Sequence, residues 1–272
     1  MIEFPRLSPS IAKTLIDKSP AHAYNDHRLL GGGRDDNFSE AKDRGLILES
    51  IIFGFGLNSA RFKIIQSDSY RTNESKQLRD EARSNNQIPI LEKDCQEYLD
   101  LGNILCKKIN DQGIHFNNGE FQKHVEWTSI EGVNCHGYLD YWHTQALTII
   151  DLKIMDDVSP KKFGKSFIDY SYDLQGAAYL EGIETLNPEL SGRVKMLFIA
   201  CESKAPFVVQ FYEMSGMMLA LGQNKWQYAK DKWKQCIDDE YWPGYFEGVG
   251  RLEPMPWHMN FEQIIDTKSM ED

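Results

Sequence analysis

No apolar run in this sequence approaches the roughly 20 residues that a membrane-spanning helix requires, so a protein built on such spans is not expected. The opening residues, Met1-Ile2-Glu3-Phe4-Pro5-Arg6, lack the basic region and apolar stretch of a secretory signal, and a cytoplasmic protein is expected. No Cys-x-x-Cys pair occurs. The five cysteines, Cys95, Cys106, Cys135, Cys201 and Cys236, are scattered and odd in number, which leaves a zinc ribbon or an iron–sulfur cluster without support. They read as reduced, mostly buried thiols. Internal repeats, low-complexity tracts and Gly/Ser linkers are absent as well. Gly31-Gly32-Gly33 is a short loop, too isolated for a phosphate-binding motif. Acidic residues outnumber basic ones, 41 to 30. A net charge of −11 argues against a protein that coats DNA, because phosphate neutralisation uses a basic surface. It leaves room for an enzyme that gathers divalent metal on carboxylates, since a local basic groove can coexist with an acidic body.

The 272 residues can bury a full core, and 41% hydrophobic with 26% charged residues is an ordinary globular composition. A single domain over residues 1–272 is expected, with peripheral helices around a mixed α/β core. Ser8 can cap a first helix and Pro9 suits its first position, while Ser19-Pro20 stops it. A second helix is expected from about Glu40 to Phe53. The polar segment from Asn73 to Asn110 reads as helical, with a break at Pro89.

From Phe121 to Ile154 the pattern changes to strand. Alternation through Val133 to Asp140 places Asp140 on one face with His136 and Tyr138. A turn near His143-Thr144-Gln145 leads into Leu147 to Ile154, where apolar and β-branched residues precede Asp151, as in a buried central strand. A helix from Tyr172 to Ile183 and strands at Val194 to Cys201 and Phe207 to Tyr212 come next. In a last helix, about Ser215 to Asp238, the stripe Leu219, Trp226, Ala229, Trp233 and Ile237 reads as core packing.

Asp151-Leu152-Lys153 carries the chemistry. Residues two apart on a strand share a face, so Asp151 and Lys153 project together and Leu152 points into the core. Asp140, one hairpin strand earlier, can face Asp151 across the pair. Two buried like charges need compensation, and a divalent cation supplies it. Magnesium takes oxygen ligands and keeps several waters, so one or two carboxylates suffice. Asp-x-Lys alone is common and usually a solvated ion pair; the apolar lead-in and the preceding Gly137-x-x-Asp140 set this one apart. Glu126 enters the same hairpin, or is a surface glutamate. Gln175 and Tyr179 share a helix face, as site residues or as an ordinary polar pair. Glu49 follows Gly45, which permits close helix approach; otherwise Glu49 caps or salt-bridges.

The ordered set Gly45-x-x-x-Glu49, Glu126-Trp127, Gly137-x-x-Asp140, Asp151-x-Lys153 and Gln175-x-x-x-Tyr179 resembles the RecB-type branch of the PD-(D/E)XK nucleases. More narrowly, the chain is similar to the exonuclease VIII (RecE) C-terminal nuclease family of phages and prophages. Leu7-Ser8-Pro9-Ser10, Lys18-Ser19-Pro20-Ala21-His22, Phe198-Ile199-Ala200-Cys201-Glu202 and Trp242-Pro243-Gly244-Tyr245 carry the likeness toward both ends.

The resemblance implies a restriction-endonuclease-like α/β core, a mixed sheet flanked by helices. It implies metal ligation by Asp140, Asp151 and the Leu152 carbonyl, with Glu126 near the metal and Lys153 as catalytic lysine. Gln175 and Tyr179 then hold DNA or order the site. The implied activity is magnesium-dependent, with manganese substituting: 5′-to-3′ degradation of linear double-stranded DNA from its ends. The implied partners are an annealing protein that receives the single strands and further copies of the chain in a ring.

Two departures stand out. Glu49 occupies a position where the family usually has a metal-binding histidine, and His136 and Tyr138 stand where basic residues are frequent. Lys161, Lys162 and Lys165 are candidates for phosphate contact, or belong to a solvated loop. The rival readings are a single-strand nuclease of the Cas4 type, weakened by the missing cysteine cluster, and a DNA-end or partner-binding protein with a dead site.

Overall fold

The computed structural model describes residues 4–33 and 39–255. The reading of Met1-Ile2-Glu3 as part of a non-secretory start lies outside them.

Helix α1 (Pro9–Asp17) begins as the sequence predicts, with the Ser8 hydroxyl accepting from the Ile11 N–H and Pro9 in the first turn. Ser19-Pro20 does more than stop it. The Ser19 hydroxyl caps a further helix, α2 (Pro20–Asp26), whose first position is Pro20. The polar segment after α3 (Glu40–Ile52) holds two helices, α4 (Asn73–Ser84) and α5 (Glu92–Asn110). Between them Pro89 falls inside strand β2 (Ile88–Leu91), which pairs in parallel with β1 (Phe62–Ile65). Four-residue strands are too short to show a period, so neither is legible in the sequence. In a sheet of two strands every strand is an edge, where proline is tolerated.

The main sheet contains β3 (Gly119–Thr128), β4 (Asn134–His143), β5 (Thr148–Met155), β6 (Lys195–Glu202) and β7 (Val209–Glu213), side by side in that order. All neighbours are antiparallel except β5 and β6, which are parallel. A parallel pair needs a long crossover. Here it consists of α6 (Pro160–Asp169) and α7 (Tyr172–Leu186), and α8 (Gly216–Asp238) comes after β7.

Successive β5 residues bury into opposite layers. Ile149 joins the core beneath α1, α6, α7 and α8, with Phe167, Ala178 and the α8 stripe residues Trp226, Ala229 and Trp233. Ile150 and Leu152 join the layer beneath α3 and α5, with Leu48, Ile52 and Leu105. The result is a mixed sheet between two helical layers, as expected. All five thiols are free. Among the described residues no helix is long and apolar enough to cross a membrane.

Candidate active site

The hydrogen-bonded ladder between β4 and β5 is short: Tyr141 pairs with Ile150, Trp142 with Ile149 and His143 with Thr148. One step further in the same register come Asp140 and Asp151, and there the strands part. The backbone N–H of Leu152, which a continuing ladder could use, donates instead to the Asp140 carboxylate at 2.9 Å.

The strict alternation expected through Asp140 breaks at the same point. Leu139 packs in the layer with α7, whereas Tyr141 packs in the layer with α3. Asp140 therefore does not continue the row of His136 and Tyr138. On the adjacent strand Gln122, in the left-handed region at φ 47°, marks the irregularity, which lets the hairpin change the face it presents.

Asp151 is 1% exposed. Its Oδ1 accepts from Gln175 Nε2 at 2.9 Å, and its Oδ2 lies 2.5 Å from Lys153 Nζ. Gln175 also donates to the Tyr179 hydroxyl at 3.1 Å, so the α7 pair orders Asp151 from one side of the sheet. Gly137 makes this possible: a Cβ there would stand 2.7 Å from the Tyr179 ring. From the other side α3 delivers Glu49, whose carboxylate accepts from Gln122 Nε2. Arg61 in turn donates to Gln122 Oε1 at 3.4 Å. Lys153 Nζ lies 4.5 Å from the centre of the Tyr172 ring, where the ring face attracts a cation.

Three carboxylates thus share a buried region with one ammonium. Burial, then the charges of Asp151 and Glu49, push the Asp140 carboxyl well above the usual carboxylate range. Burial also raises Glu49, to about 7, against the Gln122 hydrogen bond and the Arg61 charge. Burial alone would lower Lys153, but the Asp151 and Asp140 charges outweigh it and hold the ammonium above its ordinary value. Excess negative charge with only oxygen donors fits a hard divalent cation such as magnesium or manganese, and does not suit zinc's preference for nitrogen and sulfur.

Glu49, Asp140, Leu152 and Lys153 all line one cleft of about 580 Å³. Among the described residues no three His, Cys, Asp or Glu side chains stand close enough to enclose an ion by themselves.

The structure does not bring every expected residue here. Glu126 pairs with Arg6 at 3.1 Å and opposes His136, four residues along β4 from Asp140, or roughly 13 Å at strand rise. It is therefore remote from the carboxylate group expected to hold metal. Lys161, Lys162 and Lys165 lie exposed on α6, not in a loop, and do not line the cleft. Tyr172, Gln122 and Arg61 also border the site, though the sequence assigns none of them a role there. Only Tyr172 carried a signal, two residues after Tyr170 at the start of the Gln175 helix.

A family model described as a PDDEXK-like domain of unknown function, DUF3799, matches residues 41–252. The chain belongs to that family. Asp140 and Asp151-Leu152-Lys153 lie inside the matched span. The matched span includes Glu49, Gln175 and Tyr179 but leaves out α1 and α2.

Among solved structures, a candidate exonuclease from Eubacterium rectale superposes with a TM-score of 0.58 at 13% identity, covering 93% of this chain and 90% of that one. It shares the fold. A second structure, SSO0001, is 12% identical over 74% of this chain and 96% of that chain, with a TM-score of 0.27. No curated protein matches the sequence.

Proposed function

We propose that this PDDEXK-like protein is a magnesium-dependent exodeoxyribonuclease that degrades linear double-stranded DNA from its ends, 5′ to 3′, with manganese able to substitute. One observation carries the reading: Asp140, Asp151 and Lys153 converge where β4 and β5 part, beside a cleft that also receives Glu49. Nucleases of the PDDEXK type generally use divalent metals.

Asp140, Asp151 and the Leu152 carbonyl hold the cation, with Glu49 as a further carboxylate. When bound, the cation supplies Lewis acidity toward a phosphoryl oxygen. Lys153 stays protonated, so it acts by charge and hydrogen-bond donation on the phosphate or the attacking water, not as a base. Gln175 and Tyr179 fix the Asp151 carboxylate. On the RecE-like reading, the product strands pass to an annealing protein in phage-type recombination, and several copies form a ring around the duplex.

The test is digestion of end-labelled linear duplex, single-stranded and covalently closed circular DNA, with magnesium, manganese or EDTA. Linear duplex should be degraded with either metal, closed circles spared, and EDTA and Asp151→Asn should abolish the reaction. Digestion of single strands alone would favour the Cas4-type reading. No metal-dependent digestion of any substrate would leave only a binding protein.

A further inference from the structure

The outer face of β3 and β4 carries an aromatic stack that the catalytic group does not use. Tyr138 is 52% exposed and lies on His124, with ring centroids 4.4 Å apart and planes 17° apart. His136 meets both rings edge-on, at 5.9 Å and 6.3 Å. Exposed apolar surface gathered into one contiguous patch marks an interaction site, whereas single exposed residues are ordinary.

Two grooves meet at this stack. One is lined by Ser8, Lys13, Gln175 and Tyr179 and runs between Tyr138 and Tyr170, and Tyr170 also borders the catalytic cleft. The other leads from Tyr138 and His136 past His124 and Arg6 to Arg28. Cleft and first groove share Tyr170, and the two grooves share His136 and Tyr138, so the three are neighbours along one face. Tyr170, 61% exposed, and Tyr138 stand at the two junctions. Lys13, Arg6 and Arg28 place cations along it, with Arg6 paired to Glu126 and Lys13 to Asp17. Two of these three cations are thus paired with carboxylates and Glu126 also lines the second groove, so the exposed rings, more than net charge, distinguish this face.

We propose that an unpaired DNA strand runs along this face, with bases stacked on Tyr138–His124 and on Tyr170 and phosphates meeting Lys13 and Arg28. The proposal rests on the nuclease reading only in taking DNA as the occupant of the cleft. The occupant is an unpaired strand, not a duplex, because the base faces of a duplex are already stacked on one another. An unpaired base has free faces, and a flat exposed ring serves every base alike.

The test is equilibrium binding by fluorescence anisotropy, in EDTA so that nothing is cleaved. The probes are a blunt duplex and the same duplex carrying a ten-thymidine tail. The full chain should bind the tailed duplex more tightly than the blunt one. Tyr138→Ala and Tyr138→Leu should weaken the tailed complex about 5- to 150-fold and leave the blunt complex unchanged, the range expected for losing one base–aromatic stack. Tyr138→Phe should bind as the parent does, because the ring and not the hydroxyl makes the contact. Tyr138 is exposed, so these variants should fold, and circular dichroism would check it. Equal affinity for the two probes, or wild-type tail binding by Tyr138→Ala, would overturn the proposal. Tail binding without metal-dependent digestion would instead refute the nuclease reading and keep the path.

Discussion

Replacing Gly137 by alanine would place a methyl carbon 2.7 Å from Cε1 and 3.2 Å from Cδ1 of Tyr179. Carbon atoms in contact rest about 3.5–4.0 Å apart, so ring or strand must yield by about 1 Å. The ring cannot swing into solvent, because Tyr179 is 7% exposed and packs in the same core as Leu139, Ala178 and Leu180. Overpacking of this kind costs about 1–3 kcal/mol. In a chain of this size that lowers Tm by roughly 2–4 °C for each kcal/mol.

The displacement does not end at Tyr179. Its hydroxyl accepts from Gln175, which also donates to Asp151, so a shift of the ring moves the amide that orients the carboxylate. Misplacing a reacting group by about 1 Å costs on the order of 100-fold in rate. Gly137→Ala should therefore lose far more activity than its modest stability loss explains, measured by thermal unfolding and by duplex digestion well below Tm. Tyr179→Ala alone opens a cavity. Combined with Gly137→Ala, the two should destabilise less than their sum, because the truncated ring leaves room for the methyl. Wild-type activity in Gly137→Ala, or strict additivity of the pair, would refute this chain of contacts.

Lys153→Met should impair cleavage while calorimetric titration shows manganese affinity held or improved, since an ammonium cannot ligate the ion and here competes for Asp151; a large affinity loss would mean that Lys153 holds the ligand geometry. Glu49→Gln should raise the magnesium concentration needed for half-maximal activity, and an unchanged metal titration would make Glu49 structural. His27 tests a pH effect away from the site. Its Nε2 lies 3.1 Å from the Arg6 carbonyl and its Nδ1 accepts from the Leu29 N–H, so the neutral ring is the one that fits, and burial lowers its pKa from 6.5. The unfolded chain then binds more protons than the folded one below about pH 6.5, so stability should fall as pH drops through that region. Urea midpoints measured across it should decline less in His27→Gln, and identical slopes would exclude His27 as the cause.

The central opposition of the site was legible because it depends on local spacing. An apolar strand ending in Asp-x-Lys, one hairpin turn after Gly-x-x-Asp, sets Asp140 opposite Asp151, and the ladder has that register. Features that depend on three-dimensional irregularity were not legible. Ideal alternation put Asp140 in the row of His136 and Tyr138, and only the break opposite Gln122 moves it. Glu126 looked close because it neighbours the hairpin in sequence, but strand rise carries it away along β4. Helix α6 did leave a sign, with Pro160 at a first helical position and Phe163 and Phe167 one turn apart on the buried side.

Helices from opposite layers can reach one point only where the sheet between them is open. Glu49 comes from α3 and Gln175 from α7, and an intact β4–β5 ladder would separate them. The parting of the strands is therefore what the site requires, and its cost is ladder hydrogen bonds, with the Leu152 N–H recovered by Asp140. Asp140 thus has two tasks, acceptor for a backbone donor and charge in the cleft, and substitutions can divide them. Asp140→Asn keeps an acceptor and removes a charge opposed by Asp151 and Glu49, so the protein should be at least as stable as its parent while activity collapses. Asp140→Ala removes both and leaves a buried N–H unsatisfied, which costs about 1–3 kcal/mol. Urea denaturation without metal should rank asparagine at or above aspartate and alanine below it, with both variants inactive on linear duplex. Alanine as stable as asparagine would mean that the Leu152 N–H finds another partner, and that Asp140 serves the cleft without holding it open.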